Sequence, residues 1–282
     1  MIEDQQIPIT RACSALELSR DGYYKWKNKE DGEDNSLLTK EIQGIALEFP
    51  FYGYRRITKE LQRRKIGINH KKVLKIMRKD GLLCRRKKQF KPVTTQSNHE
   101  YKIYPNLIEN IKVTGLNQVW VSDITYIRLP QEFIYLAAIM DIFSRKCIGW
   151  ALGREINTLL TLSALSRAIS KHKVFGFVNL IHHSDRGVQY ASGEYVEMLQ
   201  NHGIKISMSR RGNPYDNAFA ESFNKTLKVE EVYINEYETF EDALRNIKHF
   251  IERVYNAKRL HSGIDYKSPN KFEQEILNIN LT

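Results

Sequence analysis

The 282-residue sequence has few cysteines and no long apolar run. Its three cysteines, Cys13, Cys84 and Cys147, are far apart and form no Cys-x-x-Cys pair, which argues against a disulfide framework and a cysteine-based zinc site. No apolar stretch approaches the ~18–20 residues that a membrane helix needs. The amino-terminal residues do not combine a basic segment with an apolar core, as a secretion signal does. We therefore expect no membrane partner and a reducing cytoplasmic location.

Several common catalytic signatures are also missing from the sequence. It has no glycine-rich phosphate-binding loop, and its histidines and cysteines do not follow the spacing of zinc ligands. Ser184 has no obvious base partner that would activate it as a nucleophile. These gaps argue against a nucleotide-binding fold and a zinc enzyme.

Positive charge is abundant, and almost all of the excess lies in one stretch. The formal net charge is +11, and residues 51–100 hold 16 lysines and arginines against three acids, so the remainder is close to neutral. A cationic segment beside a nearly neutral body is typical of a chain in which one part binds phosphates and another does something else. A solvated basic surface is the alternative that charge alone leaves open.

Three short helices are predicted around this basic stretch. Apolar residues at helical spacing indicate helices over 36–50 and 51–65, and Asn69 can cap a further helix that Gly81 stops. The arrangement fits a helix-turn-helix unit, although any small basic three-helix unit would look the same. The basic side chains expected to contact DNA are Arg55, Arg56, Lys71, Lys72, Lys75, Arg78, Arg85, Arg86, Lys87 and Lys88.

From about residue 113 the pattern changes to strands followed by alternating helices and strands. This order indicates a mixed α/β sheet covered by helices. The predicted strands cover 119–129, 133–143, 146–152, 178–185 and 205–209. The predicted helices cover 157–171, 192–203, 213–228 and 239–256. The resulting division is an N-terminal helical segment (1–35), a basic helix-turn-helix-like DNA-binding domain (36–85), a basic linker (86–112) and a catalytic α/β domain with a C-terminal helix (113–282).

Three acidic residues stand out by position in the α/β region. Asp123 lies mid-strand on an otherwise apolar face, where an unpaired carboxylate would be costly to bury. Asp185 follows a strand, at the sheet edge where open α/β folds bind ligands. Glu221 lies within a helix. The predicted core face of that helix consists of Phe219, Phe223 and Leu227. Each acid also has an ordinary interpretation. Asp123 could be a carboxylate bound to backbone amides, Asp185 a turn aspartate and Glu221 a solvated glutamate.

The spacing of these acids favours one shared site. Between Asp185 and Glu221 lie 35 residues, and Lys228 is seven residues beyond Glu221, two helical turns along the same face. Asn217 lies one turn before Glu221 on that face. Two strand carboxylates and one helix carboxylate can converge at the end of a sheet, where they would form an oxygen-only site suited to Mg²⁺ or Mn²⁺.

The sequence blocks around these residues resemble those of a known family. WVSDIT, HHSDRGVQY and DNAFAESFNKTLK are similar to the three blocks of the DDE transposases related to retroviral integrases. More narrowly, they resemble the OrfB-type transposases of bacterial insertion sequences. The resemblance extends to DIFSRKCIGWAL, to YNAKRLHSGIDYKSPNKFE and, in the basic region, to YGYRRITKEL and INHKKVLKIMRKDGL. One departure is Leu260, where relatives often have proline.

The resemblance implies an RNase H-like core with a mixed five-stranded sheet and a catalytic, metal-binding set of Asp123, Asp185 and Glu221. It implies that Lys228 contacts the DNA end, and Asn217 on the same face is predicted to do so too. Two Mg²⁺ or Mn²⁺ ions ~3.5–4 Å apart can hold the attacking and leaving oxygens of a phosphodiester in line. Without metal the three carboxylates would repel one another, so metal binding should couple to their protonation.

The activity implied by the resemblance is metal-dependent DNA strand cleavage and strand transfer at insertion-sequence ends. The expected partner is double-stranded DNA, both as the terminal repeats and as the target. Because two ends must be joined in concert, a homodimer or higher oligomer is expected on paired ends. The companion protein of the first reading frame is a further expected partner, since the active enzyme of this family is often a frameshift fusion. The expected location is the bacterial cytoplasm, at the nucleoid.

The residues leave two other functions open. A DNA-binding regulator with an inactive integrase-like core would bind DNA ends without metal and would not cleave them. A ribonuclease on the same fold would favour an RNA–DNA hybrid and would not need the basic helices. Among the minor candidates, Asp141 is interpreted as a turn residue near Arg145. His182 and His183 either pack within the strand or orient water or substrate.

Overall fold

The computed structural model describes residues 9–15, 19–27, 34–84, 101–173, 176–210 and 214–279. The chain divides into two compact units, Met1–Arg86 and Lys87–Thr282. In the described part of the chain, no helix is both long enough and apolar enough to cross a membrane.

The first unit is helical throughout its described elements. These are α1 (Ile9–Ala15), α2 (Arg20–Lys27), α3 (Asp34–Glu48), α4 (Tyr54–Arg63) and α5 (His70–Lys79). The three predicted helices of the basic region are therefore confirmed as α3, α4 and α5.

Local sequence explains where α5 begins and which face of each helix is buried. The Asn69 side chain accepts a hydrogen bond from the backbone N–H of Lys71 at 2.8 Å, which caps the first turn. Gly81 ends the segment with φ +67, a conformation that costs a glycine little. The core between the helices consists of the fully buried Ile42, Ile45, Ile57, Leu61, Val73 and Met77.

Among the described side chains of this unit, one charged residue is buried, and it is paired. Glu60 is 3% exposed and accepts hydrogen bonds from Arg63 and Arg64 in the next helical turn. Arg64 also contacts Glu41 and Glu48 of α3, so a single guanidinium ties α3 to α4.

The second unit is built on a five-stranded sheet. In the described chain its strands are β1 (Val119–Arg128), β2 (Phe133–Asp141), β3 (Cys147–Gly153), β4 (Ile181–Ser184) and β5 (Lys205–Met208). Their order across the sheet is β3-β2-β1-β4-β5. The first three strands are antiparallel neighbours, whereas β4 runs parallel to β1 and β5 runs parallel to β4. This confirms the predicted mixed five-stranded, RNase H-like sheet.

Helices cover both faces of the sheet. The helical elements of the unit are α6 (Thr158–His172), α7 (Val188–Ala191), α8 (Gly193–Asn201), α9 (Ala218–Leu227), α10 (Phe240–His249) and α11 (Pro269–Ile279). One core joins the face of Val119, Val121 and Ile127 to α9 and α10, and a second joins the face of Trp120 to α6 and α8. On that second face, a Cβ at Gly149 would lie 2.4 Å from the Ala164 carbonyl oxygen, so only glycine allows β3 and α6 to approach so closely.

Several helical segments differ from the prediction. The predicted helix 213–228 is a 3₁₀ turn (Pro214–Asn217), then α9, then a π-helical turn (Lys228–Val232). Asn213, at which the predicted helix begins, lies outside the described residues. The predicted helix 239–256 continues from α10 as a second π-helical turn (Phe250–Tyr255).

The predicted core face of α9 was wrong at one residue. Phe223 and Leu227 are buried as expected, but Phe219 is 37% exposed. Because α9 begins at Ala218, Phe219 lies in its first turn, where its ring packs 4.0 Å from the Arg145 guanidinium carbon. The cation–π contact takes the place of a core contact.

Two further features were not predicted. Helix α11 packs near the β2–β3 turn, where Glu273 accepts a hydrogen bond from the Ser144 hydroxyl at 3.0 Å. Part of the predicted linker packs on the sheet unit, because the Leu107 backbone N–H donates to the Ser207 hydroxyl at 2.8 Å and Tyr104 joins the second core.

Candidate active site

Asp123 lies on β1 with its carboxylate held by two hydrogen bonds. Its Oδ1 accepts from the backbone N–H of Ile124 at 3.0 Å, and its Oδ2 accepts from the Asn224 side chain at 2.9 Å. Burial raises the pKa of Asp123 to about 7, and the negative charge of Asp185 acts in the same direction. A carboxyl that is fixed, desolvated and next to another acid is the kind of group found at functional sites.

Asp185 follows β4, the strand that runs parallel to β1. The register pairs Val121 with His183, and two more residues along each strand lead to Asp123 and Asp185. The parallel alignment therefore brings both aspartates to the same end of the sheet. Asp185 Oδ1 accepts a hydrogen bond from the Gly187 backbone N–H at 3.0 Å. A Cβ at Gly187 would itself lie 3.0 Å from that oxygen, so glycine lets the backbone approach the carboxylate.

Asn217 lies at the point where the pairing of β1 with β4 ends. Its side-chain amide donates to the Ser122 carbonyl at 2.9 Å, and the residue is 6% exposed. The amide satisfies a backbone acceptor that would otherwise be left unpaired as the two strands separate. Asn217 was predicted to contact DNA; that prediction stays untested, and in the structure its amide serves the strand backbone.

Glu221 lies in the first turn of α9, exposed, where the helix faces the two aspartates. Its charge also raises the pKa of Asp123, but it is the smallest of the causes, after burial and Asp185. Among the described residues, no group of three or more His, Cys, Asp or Glu side chains is placed closely enough to hold a metal ion. The structure thus brings two of the predicted carboxylates together and leaves the third within electrostatic reach.

Lys228 directly follows α9 and lies beside the site. Its ammonium is 3.9 Å from the centre of the Tyr126 ring, a close cation–π contact. Burial lowers the pKa of Lys228, while the negative charge of Asp123 acts in the opposite direction. Lys228 is therefore close enough to the acids to interact with whatever they bind.

Three structural features on α9 or near the aspartates were missed by sequence reasoning. Asn224, one turn beyond Glu221, holds Asp123 and is 7% exposed. Tyr190 is fully enclosed near the two aspartates, whose charges, after burial, raise its pKa. Arg145 adopts φ +64 and covers Phe219. Helical spacing from Glu221 could have indicated Asn224, but no local pattern indicates the other two contacts.

The minor candidates have structural roles. Asp141 is a turn residue, as predicted: it accepts hydrogen bonds from the backbone N–H groups of Asn117 and Ser144, and burial raises its pKa to about 6. His182 bonds to the Tyr195 hydroxyl at 3.0 Å, and His183 lies between the hydroxyls of two serines. Burial lowers the pKa of His182 to about 3 and that of His183 to about 4, so both pack as neutral rings.

The basic side chains of α4 and α5 that were predicted to contact DNA are exposed or, at Arg56, partly exposed. Lys71, Lys72, Lys75 and Arg78 all lie on the solvent face of α5, opposite Val73 and Met77. On α4, Arg55 is exposed and Arg56 is partly covered by its contact with the Tyr52 ring. The remaining predicted contacts, Arg85, Arg86, Lys87 and Lys88, lie outside the described residues.

Comparison with known families agrees with this two-part organisation. An integrase core domain matches residues 114–214, a second integrase core domain model matches 202–269, and an HTH-like domain matches 33–90. The catalytic core of HTLV-2 integrase, solved with magnesium, covers 55% of this chain and 95% of its own at 19% identity, with a TM-score of 0.42, which is too weak a likeness to add to the identification. The domain matches define an integrase-core polynucleotidyl transferase that carries a helix-turn-helix domain.

Relatives of full length narrow the class further. The transposase for insertion sequence element IS904 of Lactococcus lactis is 40% identical over 253 residues, which cover 86% of this chain and 95% of that protein. The transposase InsF for insertion sequence IS3A of Escherichia coli is 32% identical over 96% of both chains. An uncharacterized 31 kDa protein of insertion element IS600 from Shigella sonnei is 35% identical over 93% of this chain. The chain belongs to the family of insertion-sequence transposases.

Proposed function

We propose that Asp123, Asp185 and Glu221 bind two divalent metal ions, Mg²⁺ or Mn²⁺, and that this site cleaves DNA at insertion-sequence ends and joins them to target DNA. The observation that supports it best is the pairing of Asp123 with Asp185, since two acids from adjacent parallel strands are kept close although burial and mutual repulsion raise the pKa of Asp123 to about 7. A cation would relieve that repulsion.

The donor set fits a hard divalent cation. All three proposed ligands are carboxylates, and Mg²⁺ and Mn²⁺ prefer oxygen ligands. Asn224 directs its amide donor to Asp123, and its own carbonyl oxygen is buried without a hydrogen-bond partner among the described residues. That acceptor lies beside the first carboxylate, where it can receive a hydrogen bond from a ligand of the site.

The residues of the chain have distinct tasks in the proposed reaction. Two metal ions held by the carboxylates would stabilise charge on the attacking and leaving oxygens of the scissile phosphate. The backbone N–H of Gly187 keeps Asp185 in place, and Asn224 does the same for Asp123. Lys228 supplies a positive charge for the strand that enters the site. Water as the attacking group gives cleavage, and a DNA 3′-hydroxyl gives strand transfer.

Isosteric removal of one carboxylate tests this assignment. Asp185→Asn preserves the shape of the side chain and an acceptor for Gly187, but it removes the charge that a metal ligand needs. We expect Mg²⁺-dependent nicking and joining to fall by more than about 100-fold, since even residues that only support a ligand are worth 10–100-fold. Glu221→Gln should lower nicking and joining to a similar extent as Asp185→Asn.

The control for this experiment is Glu197→Gln, which changes an exposed carboxylate on α8. It should keep both activities, and all three variants should still bind end DNA. Unchanged nicking by Asp185→Asn would refute the proposed site. A wild-type protein that binds DNA ends but never cleaves them in Mg²⁺ or Mn²⁺ would favour a DNA-binding regulator instead.

The first unit is proposed to bind the DNA. In a helix-turn-helix arrangement, α5 would enter the major groove of the terminal repeat while the basic residues of α4 contact phosphates. The exposed cations on α5 opposite its buried Val73 and Met77 support this orientation. The proposed domains are those of the sequence: helical residues 1–35, the DNA-binding region 36–85, the linker 86–112 and the catalytic region 113–282.

We further propose an assembly of two or more copies on paired DNA ends, because both ends must be joined to one target. The companion protein of the first reading frame is a proposed member of that assembly, which would act at the nucleoid in the bacterial cytoplasm. Measuring the mass of the protein with and without end DNA tests the assembly. A complex of one copy on one DNA end, with no complex that holds two ends even at saturating protein, would contradict it.

A further inference from the structure

An aromatic patch lies beside the carboxylate site, and neither the fold nor the metal chemistry requires it. It consists of Tyr126 on β1, Phe133 at the start of β2, and Tyr233 directly after the π-helical turn. Phe133 is 49% exposed and Tyr233 is 46% exposed, which is unusual for aromatic side chains.

The three rings converge although they come from separate elements. Tyr126 and Phe133 make an edge-to-face contact with their centroids 6.0 Å apart. They lie on one face of the sheet, because Tyr126 pairs with Tyr135 and Phe133 is two residues from Tyr135. Tyr233 is linked to the first ring through Lys228: its backbone N–H donates to the Lys228 carbonyl at 2.9 Å, and the Lys228 ammonium lies 3.9 Å from the centre of the Tyr126 ring.

The π-helical turn explains why Tyr233 lies there. The Tyr233 backbone N–H donates to the Lys228 carbonyl at 2.9 Å, an i to i+5 bond that adds one residue to the turn. Such insertions rotate the following residues relative to an α-helix and occur often at functional sites. Here the insertion directly follows α9, the helix that carries Glu221.

The patch is open to a ligand along the edge of β1. Among the described strands, β1 pairs with β4 only over Val119–Val121, so Tyr126 lies on a part of β1 that is paired on its β2 side alone. Lys228 covers Tyr126 from this edge at 3.9 Å, and no carboxylate of the described residues lies within ion-pair distance of its ammonium. An ammonium and exposed rings side by side are the combination that binds a phosphate and an unstacked base.

We propose that Tyr126, Phe133 and Tyr233 form a stacking surface for an unpaired nucleobase of the DNA strand held at the carboxylate site, with Lys228 on the adjoining phosphate. The proposal rests on the proposed role of Asp123, Asp185 and Glu221 in binding that strand. Tyr126 is three residues beyond Asp123 on β1, so the ring and the carboxylate point to opposite faces of the sheet, and the strand would pass from one to the other around the edge of β1 where Lys228 lies. The rise along β1 between the two residues is on the order of 10 Å, so the surface would hold a base at least about three nucleotides from the reacting phosphate and keep the end of the duplex open.

Photocrosslinking and binding of the full-length protein in Ca²⁺ test this surface. The probes are a short duplex with a single-stranded oligothymidine extension, carrying 5-iododeoxyuridine at one position at a time, and the same duplex with blunt ends. We expect crosslinks to an aromatic residue of the patch at one or two adjacent positions. Tyr233→Ala should lower affinity for the extended duplex about tenfold and leave the blunt duplex unaffected, because stacking on one ring is worth about that much. Tyr233→Phe, which keeps the ring, should bind as the wild type does.

Val178→Ala is the control, because Val178 is 87% exposed in a turn before β4; it should change neither binding nor crosslinking. Equal loss of affinity for the blunt and extended duplexes in Tyr233→Ala would overturn the proposal. So would a change in sedimentation of Tyr233→Ala with unchanged DNA binding, which would assign the patch to contact with a second copy. If no crosslink forms, but the wild type cleaves DNA and Asp185→Asn does not, the stacking surface is refuted and the carboxylate assignment stands. Cleavage that survives Asp185→Asn would refute the carboxylate assignment and leave the crosslinking result standing.

Discussion

At the scale of single residues, two opposing effects set the pKa of Asp123. A buried carboxyl prefers to be neutral, whereas the hydrogen bonds from Ile124 and Asn224 favour its charged form. Burial and Asp185 outweigh those two donors, so the pKa rises from 3.8 to about 7. The residue is therefore poised to exchange a proton for a cation near neutral pH.

Metal binding is expected to release a proton below about pH 7. One unit below that value Asp123 is mostly protonated, so Mn²⁺ that binds to its carboxylate must displace the single proton, and the affinity should fall about tenfold per unit of pH. Calorimetric titration with Mn²⁺ in two buffers of different ionisation enthalpy counts the released protons. About one proton should leave on the acid side and almost none at alkaline pH. Equal counts at both would contradict the raised pKa.

The same shift makes a prediction for the metal-free protein. Because the folded state binds this proton more tightly than the unfolded chain, stability is greatest where Asp123 is protonated and declines as pH rises from about 4 to about 7. Asp141, whose pKa is raised to about 6, acts in the same direction. Urea unfolding in EDTA should show a shallower decline for Asp123→Asn than for the wild type. An identical pH dependence in both would show that Asp123 is not the residue responsible.

At the scale of elements, the separation of β1 from β4 makes room for the site, and Asn217 stabilises it. Asn217→Ala would leave the Ser122 carbonyl buried without its donor, at a cost of about 1–3 kcal/mol. We expect urea unfolding to show that loss of stability while affinity for end DNA stays unchanged. Asn201→Ala, at an exposed asparagine of α8, is the matched control, and it should change neither the stability nor the DNA affinity. Weaker DNA binding by Asn217→Ala at unchanged stability would instead support the sequence-based prediction of a DNA contact.

The elements that local sequence could predict are those whose pattern is set by burial on one face. Alternating apolar residues located β1, and apolar spacing with an N-cap located α5. The π-helical turn at Lys228–Val232 has no such local pattern, and its first residue, Lys228, contacts Tyr126, which lies far away along the chain. Helix α11 was missed for a similar reason, since Glu273 meets Ser144 across 129 positions of the chain.

The site itself was predictable only in part. Strand ends and spacing located Asp123, Asp185 and Glu221 in the sequence, and the fold brings the first two together. The hydrogen bond from Asn224 and the exposure of Phe219 depend on how α9 is rotated against the sheet. Helical spacing alone leaves that rotation open by one or two residues.

At the scale of the whole molecule, the distribution of charge separates two tasks between two parts of the chain. Most cations of residues 51–100 lie where the HTH-like domain matches, while the region that matches the integrase core models is nearly neutral and contains Asp123, Asp185 and Glu221. Binding of DNA to the basic part releases counterions and therefore weakens steeply with salt. Catalysis by carboxylates and metal does not depend steeply on salt once the DNA is bound.

This separation predicts that a lysine of α5, and not one of the catalytic unit, contributes to the salt dependence of DNA affinity. Lys75→Gln removes one exposed cation from α5, and if that cation contacts a phosphate, the slope of log K against log salt should become shallower by about 0.9 for any duplex sequence. Fluorescence anisotropy over a range of KCl concentrations measures the slope, and nicking of fully bound DNA should remain at the wild-type rate. Lys205→Gln, at an exposed lysine on β5 of the catalytic unit, should leave the slope unchanged. A slope that falls equally in both variants would mean that the two units share phosphate binding, and that the charge concentrated in residues 51–100 does not mark a separate DNA-binding part.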